Sequence, residues 1–283
     1  MYQFPIGAMV DSFRMPTYEA VKAAADIGVK GLQMYATSGD NAPDVLVGKK
    51  RSELLRYVKD QGLVFSAICG DLGKGFHDSK RNHELVEKSK RIMDLAKDLE
   101  TDVVTTHIGV IPSDKTCDRY KIMQQAAFEL AQYADSVGAH FAIETGPEIA
   151  DTLKAFLDDL GSTGVAVNMD PANFVMVTKD DPVDAVYKLR RYIVHTHAKD
   201  GVNLRDCDPY EIYAEMDHGA WEQEPSFREM PLGNGAVDFP AYLKALDDIG
   251  YRGFLTIERE VGDHPAADIS LAADFLTAVM RAN

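Results

Sequence analysis

The chain has 283 residues, 46% of them hydrophobic and 27% charged, the composition of an ordinary globular protein. That length suits one α/β barrel or two modest domains. Against 30 basic side chains stand 45 acidic ones, and the net charge of -15 argues against a nucleic-acid or anionic-membrane partner, since such binding needs basic surface.

In chain order, short β-rich runs alternate with longer amphipathic ones. "FPIGAMV" precedes a helical run from Pro16 to Ile27, which Gly28 stops. "GLQMYA" precedes "KKRSELLRYVKDQG", with Leu54, Leu55 and Val58 on one face and Gly62 at its end. "LVFSAICG" leads to a long helix from about Ser79 to Leu99. "DVVTTHIG" leads to another, roughly Asp118 to Val137, closed by Gly138. The second half repeats the alternation: "HFAIETG" with "DTLKAFLDDLG", "GVAVNMD" with "DPVDAVYKLR", and "YIVHTHAKD" followed by an irregular stretch. A helix at "DFPAYLKALDDIG", the strand "GFLTIE" and a terminal helix through Phe275 and Met280 complete the chain.

Eight strands separated by helices imply right-handed crossovers and a parallel sheet. Eight such units in under 300 residues predict a closed (β/α)8 barrel, a TIM barrel, rather than an open doubly wound sheet. The first turn, "GAMVDSF", lacks the GxGxxG of a dinucleotide-binding fold. No linker rich in Pro, Gly or Ser divides the chain, so residues 1–283 read as one domain with a long loop insertion at about 201–235. A loop of that length, carrying Trp221, is expected to cover a site or touch a neighbouring subunit. Cys69, Cys117 and Cys207 form no CxxC pair and read as free thiols. "MYQFPIGAMV" has neither a basic segment nor a long apolar one, and no stretch reaches transmembrane length. The cytoplasm is therefore the expected compartment.

Four apolar runs, those of the fifth to eighth strands, finish on polar residues: "FAIETG", "VAVNMD", "IVHTHAKD" and "FLTIERE". Barrel enzymes place their chemistry at the C-terminal ends of strands. Neighbouring strands would bring Glu144, Asp170, His197 and Glu258 around one point. Under period-2 alternation His195 shares a face with His197, so either imidazole could serve. Each carboxylate alone could be a helix cap or a rim ion pair, whereas four on consecutive strand ends point to a shared purpose. Three carboxylates and an imidazole make a hard site for Mn²⁺, Mg²⁺ or Co²⁺, with Zn²⁺ also accommodated.

The motifs "IETG", "MDPAN", "HTHAKD" and "PLGNGAVDFPAYLKALDDIGYRGFLTIERE" resemble the xylose isomerase-like TIM-barrel superfamily of sugar phosphate isomerases and epimerases, over essentially the whole chain. The resemblance puts the metal ligands on Glu144, Asp170, His197 and Glu258. It implies a sugar or keto-sugar isomerase or epimerase of carbohydrate metabolism, with one bound divalent ion stabilising an enediolate. In the related epimerases the two ligating glutamates exchange the proton, here Glu144 and Glu258, with Asp170 and His197 as ligands only. Lys199, Asp200 and Arg205 follow the histidine where those epimerases make polar substrate contacts.

His107, ending "VVTTHIG", is a further candidate for a substrate hydroxyl, and His195 reads as an orienting or core histidine. Asn173 stands where the epimerases and endonuclease IV commonly have histidine. It remains a candidate substrate contact, but together with Cys69 at the third strand's end it argues against a trinuclear zinc nuclease. A dehydratase of the inosose or dehydroshikimate type shares the first proton abstraction and is the alternative reading. A catalytically silent carbohydrate-binding barrel would not need the full ligand set. The expected partner is a small carbohydrate, a polyol-like ketone that need not be phosphorylated, and a homo-oligomer is left open. The glycines of "PLGNGAVD" lie where many barrels bind phosphate, and a plain turn explains them equally.

Overall fold

A computed structural model describes residues 2–213 and 224–282. Its strands are β1 Ile6–Met9, β2 Gly31–Tyr35, β3 Val64–Cys69, β4 Val103–Thr106, β5 His140–Glu144, β6 Val165–Met169, β7 Ile193–Ala198, β8 Asp200–Asn203, β9 Phe227–Met230 and β10 Leu255–Ile257. Eight of them close a parallel barrel in the order β1-β10-β7-β6-β5-β4-β3-β2. The chain is a (β/α)8 barrel, as the alternation predicts.

The helices are α1 Thr17–Ile27, α2 Lys49–Asp60, α3 Ser79–Asp98, α4 Asp118–Val137, α5 Ala150–Leu160, α6 Pro171–Asn173, α7 Pro182–Leu189, α8 Pro209–Ile212, α9 Phe239–Asp248 and α10 Pro265–Ala282. Their ends follow local chemistry. Gly28 and Gly138 close α1 and α4 at φ +92° and +64°, a region costly for any residue with a Cβ. Asp181 opens α7 by accepting the amides of Val183 and Asp184, with Pro182 in the first turn, where its missing N–H costs nothing.

Strands such as β6, VAVNM, are buried on both faces, because helices cover the outside and side chains fill the inside. Ala67, Val103, Ala142 and Ala166, with Val194, form a small apolar cluster apart from the main core. Ala142 and Ala166 lie two residues before Glu144 and Asn168, so they share the inward face, lower in the barrel. An apolar floor thus lies beneath a polar layer.

Two features differ from the expected pattern. After β6 the chain makes α6 and a π-helical stretch, Phe174–Thr178, before α7 begins. The stretch read as irregular holds α8 and two strands: β8 pairs antiparallel with β9, Asp200 opposite Met230. That pairing joins segments more than 20 residues apart, which local periodicity cannot register. Trp221 lies outside the described residues. No helix among the described residues is long and apolar enough to cross a membrane.

Candidate metal centre

Four neighbouring strands of the barrel, β10, β7, β6 and β5, deliver the four expected ligands. Glu144 is the last residue of β5 and pairs in register with Asn168 of β6, while Asp170 directly follows β6. His197 lies on β7 opposite Thr256 of β10, and Glu258 follows β10. All four are buried, and one ligand atom from each lies within 4.8 Å of all the others. Among the described residues no other group of three or more such side chains converges this way.

Hydrogen bonds fix the aim of each atom. Gln33 Nε2 donates to Thr105 Oγ1 (2.9 Å), so its Oε1 accepts the Nε2–H of His197 (2.9 Å). The lone pair of His197 Nδ1 is thereby turned towards Glu258 Oε2 at 3.2 Å, Asp170 Oδ2 at 3.3 Å and Glu144 Oε1 at 3.5 Å. Four electron-rich atoms at this spacing need a positive charge among them, and the O₃N donor set fits a hard divalent ion. Asp170 has two roles, one for each oxygen: Oδ1 caps α6 through the Asn173 amide (3.0 Å), while Oδ2 faces His197.

A second row of polar groups lies beneath. Asn168 Nδ2 donates to Glu144 Oε2 (2.9 Å), and Asn168 Oδ1 accepts from His195 Nδ1 (2.8 Å). His195 Nε2 in turn accepts from Thr256 Oγ1 (2.8 Å). His195 is thus a satisfied interior histidine that holds Asn168 against Glu144, and it is not one of the four converging groups.

Burial disfavours charge throughout the site, yet the neighbours outweigh it. Glu258 is held well below the usual carboxylate range because Lys199 and His197 favour its ionised form over the burial that opposes it. Glu144 is lowered in the same sense by His107 and His197. Burial alone would depress His197, but Glu258 and Glu144 raise it well above the ordinary imidazole value.

The cluster lies at the base of a cavity of about 180 Å³. His107, Asn173 and Lys199 line it, as expected, and so do Tyr35, Asp71, Tyr213 and Glu260. His107 Nδ1 is bonded to Asp71 Oδ2 (3.0 Å), and its ring packs on Tyr213 with centroids 5.0 Å apart. Asn173 Nδ2 donates to Glu144 Oε1 (3.2 Å), and Lys199 Nζ donates to Glu258 Oε2 (2.9 Å) and to Glu260. Two candidates lie elsewhere: the Asp200 carboxylate is turned into backbone amides, and the Arg205 guanidinium is bonded to the carbonyl of Glu224. A larger hollow of about 450 Å³, among His140, Ser162, Arg191 and Tyr192, lies at the opposite end of the strands, away from the ligand cluster. Asp71 and Tyr35 escaped the sequence reading, although they follow or end β3 and β2 by the same strand-end logic applied to the later strands.

The family model described as xylose isomerase-like TIM barrel matches residues 21–279. A protein of Escherichia coli named "Putative L-ribulose-5-phosphate 3-epimerase SgbU" is 23% identical over 243 residues, which cover 82% of this chain and 79% of that one. An uncharacterized protein of Methanocaldococcus jannaschii is 22% identical over 211 residues, 70% of this chain and 64% of that protein, so the match spans less than two thirds of its length. Among solved structures, a xylose isomerase domain protein from Planctomyces limnophilus superimposes with a TM-score of 0.79 at 26% identity, covering 98% of this chain and 97% of its own.

Proposed function

The chain belongs to the xylose isomerase-like TIM-barrel family, and from that premise we propose that it is a metal-dependent isomerase or epimerase of a small sugar or keto-sugar. The observation that carries the reading is His197 Nδ1 facing three carboxylate oxygens from three other strand ends at 3.2–3.5 Å, at the base of a polar cavity. The name of the Escherichia coli relative, a sugar phosphate 3-epimerase, favours the same reaction class.

Glu144, Asp170, His197 and Glu258 would hold the ion. When bound, it would supply a Lewis acid that favours negative charge on a substrate carbonyl oxygen. The chain's own residues would do the rest. Glu144 and Glu258 come from the two outer strands of the four, with Asp170 and His197 between them, so the glutamates can flank a carbon next to the carbonyl. One carboxylate takes the C–H proton, and the electron pair of that bond moves to the carbonyl oxygen, giving an enediolate. For epimerisation the other glutamate, once it has taken up a proton from solvent, returns it to the opposite face of the same carbon as the electron pair moves back from oxygen. For isomerisation the proton goes to the neighbouring, former carbonyl carbon, and the hydroxyl on the carbon that lost it gives its proton to the old carbonyl oxygen. Lys199 holds Glu258 ionised and ready to act as the base. Asn168 and Asn173 hold the two oxygens of Glu144. His107, backed by Asp71, would contact a substrate hydroxyl from the cavity wall.

Metal analysis of the purified protein, joined to a screen of free and phosphorylated sugars, tests the reading. About one divalent ion per chain, with a sugar converted at constant mass, supports it. A product lighter by one water would identify the dehydratase that shares the first step.

A further inference from the structure

The turn after β9, with the sequence PLGNGAV, presents backbone amides near the mouth of the barrel, where such groups can hold a phosphate. In this protein they already hold an anion. Asp200 is 1% exposed, and its carboxylate accepts the amides of Gly235 (2.8 Å), Gly233 (3.0 Å) and Val237 (3.1 Å), besides its neighbour Gly201 (2.8 Å). Gly235 is what admits it: a Cβ there would fall 2.1 Å from Asp200 Oδ1. The residue therefore does not extend the ligand cluster, although it lies only three positions beyond His197.

The cavity offers no substitute. Among the described residues that line it, the cationic side chains are Lys199 and His107. Lys199 is spanned by Glu258 and Glu260, and His107 is bonded to Asp71. Glu144 adds a fourth lining carboxylate. Both cations are thus committed to carboxylates of the wall, and an arriving phosphate dianion would find no unpaired side-chain cation there, which discriminates against it.

We infer that the protein acts on an uncharged polyhydroxy ketone in preference to its phosphate ester, and that Asp200 is the residue that withdraws the loop amides from anion binding. The substrate half of this inference rests on the proposed isomerase reading, whereas the Asp200 half does not.

Two arms test it. In the first, metal-free protein is melted with and without millimolar inorganic phosphate at constant ionic strength. Wild type should show no phosphate-dependent rise in Tm, while Asp200→Ala, which frees the amides, should gain one, as a ligand bound only to the native state requires. Stabilisation of wild type by phosphate, or a folded Asp200→Ala that gains none, would overturn the assignment. In the second arm, which needs no variant, kcat/KM of the metal-loaded wild type is compared for a ketose and its terminal phosphate. The expected preference for the free sugar is about 100-fold, the order of the cost of leaving a charged group without a partner. Equal or better use of the ester would overturn the substrate class. If no sugar is turned over, the isomerase reading fails, while the phosphate melts still decide the role of Asp200.

Discussion

Gln33 Oε1 lies 2.9 Å from His197 Nε2, so a residue of β2 decides which nitrogen of a β7 histidine faces the carboxylates across the barrel. With its Nε2 donating to Thr105, the amide presents its oxygen to His197 and supports the tautomer that turns Nδ1 to the carboxylates. Replacing Gln33 by Met keeps the volume and removes the acceptor. Metal affinity should then fall by about 10–100-fold, the usual effect of losing an orienting partner, while circular dichroism stays native. Titration calorimetry with Mn²⁺ checks this, and an unchanged Kd would show that His197 needs no such support.

The purified protein should hold about one divalent ion per chain by elemental analysis. Glu144→Gln and Asp170→Asn each remove one anionic charge that offsets the desolvation of the ion, so both should lower occupancy. Asp170→Asn retains an oxygen to cap α6, and its loss should therefore appear in metal content more than in Tm. Full occupancy in both variants would remove the basis for the centre.

The two glutamates and the histidine should separate by kinetics. Glu258→Gln keeps an oxygen donor but cannot accept a proton, so the metal-loaded variant should lose roughly 10²–10⁴ in turnover. His197→Asn should lose metal and activity together, with partial recovery in excess metal. Near-normal turnover of metal-loaded Glu258→Gln would rule out acid-base action by Glu258 and turn attention to His107.

The Asp71–His107 pair gives a pH dependence in the chelator-treated protein. Burial opposes the imidazolium, but Glu144 and Asp71 raise His107 from 6.5 to about 9. Its folded pKa lies above the unfolded one, so its contribution to stability is complete below about 6.5 and is lost as pH rises through about 9. Asp71 is lowered, burial notwithstanding, by the same partner, and its contribution is lost only as pH falls below the ordinary carboxylate range. The Tm difference between wild type and His107→Gln should therefore be widest near pH 5–6 and shrink towards pH 9. A difference that grows with pH would contradict the pair.

The barrel was readable because each strand–helix unit carries its own signals: glycine stops, aspartate caps and a change of period from 2 to 3.6. The four converging groups were readable because strand ends are fixed points of such a barrel. Asp200 misled for the same reason. It follows a strand end, but its direction depends on a loop more than 30 residues later, and only the fold shows that Gly235 makes room for its carboxylate. Gln33 and Asn168 were silent because a polar residue inside a strand has no local mark of its partner on another strand. The β8–β9 pairing was silent because its two halves are distant in sequence.

The most direct test of proton transfer at the metal centre is conversion of a sugar panel by the metal-loaded protein in D₂O, followed by mass and NMR analysis of the product. The account predicts a product of the same composition that carries solvent deuterium on the carbon next to the carbonyl, with incorporation abolished in Glu258→Gln. A converted sugar that gains no deuterium from solvent at any time point, or whose labelling is unchanged in Glu258→Gln, would contradict it.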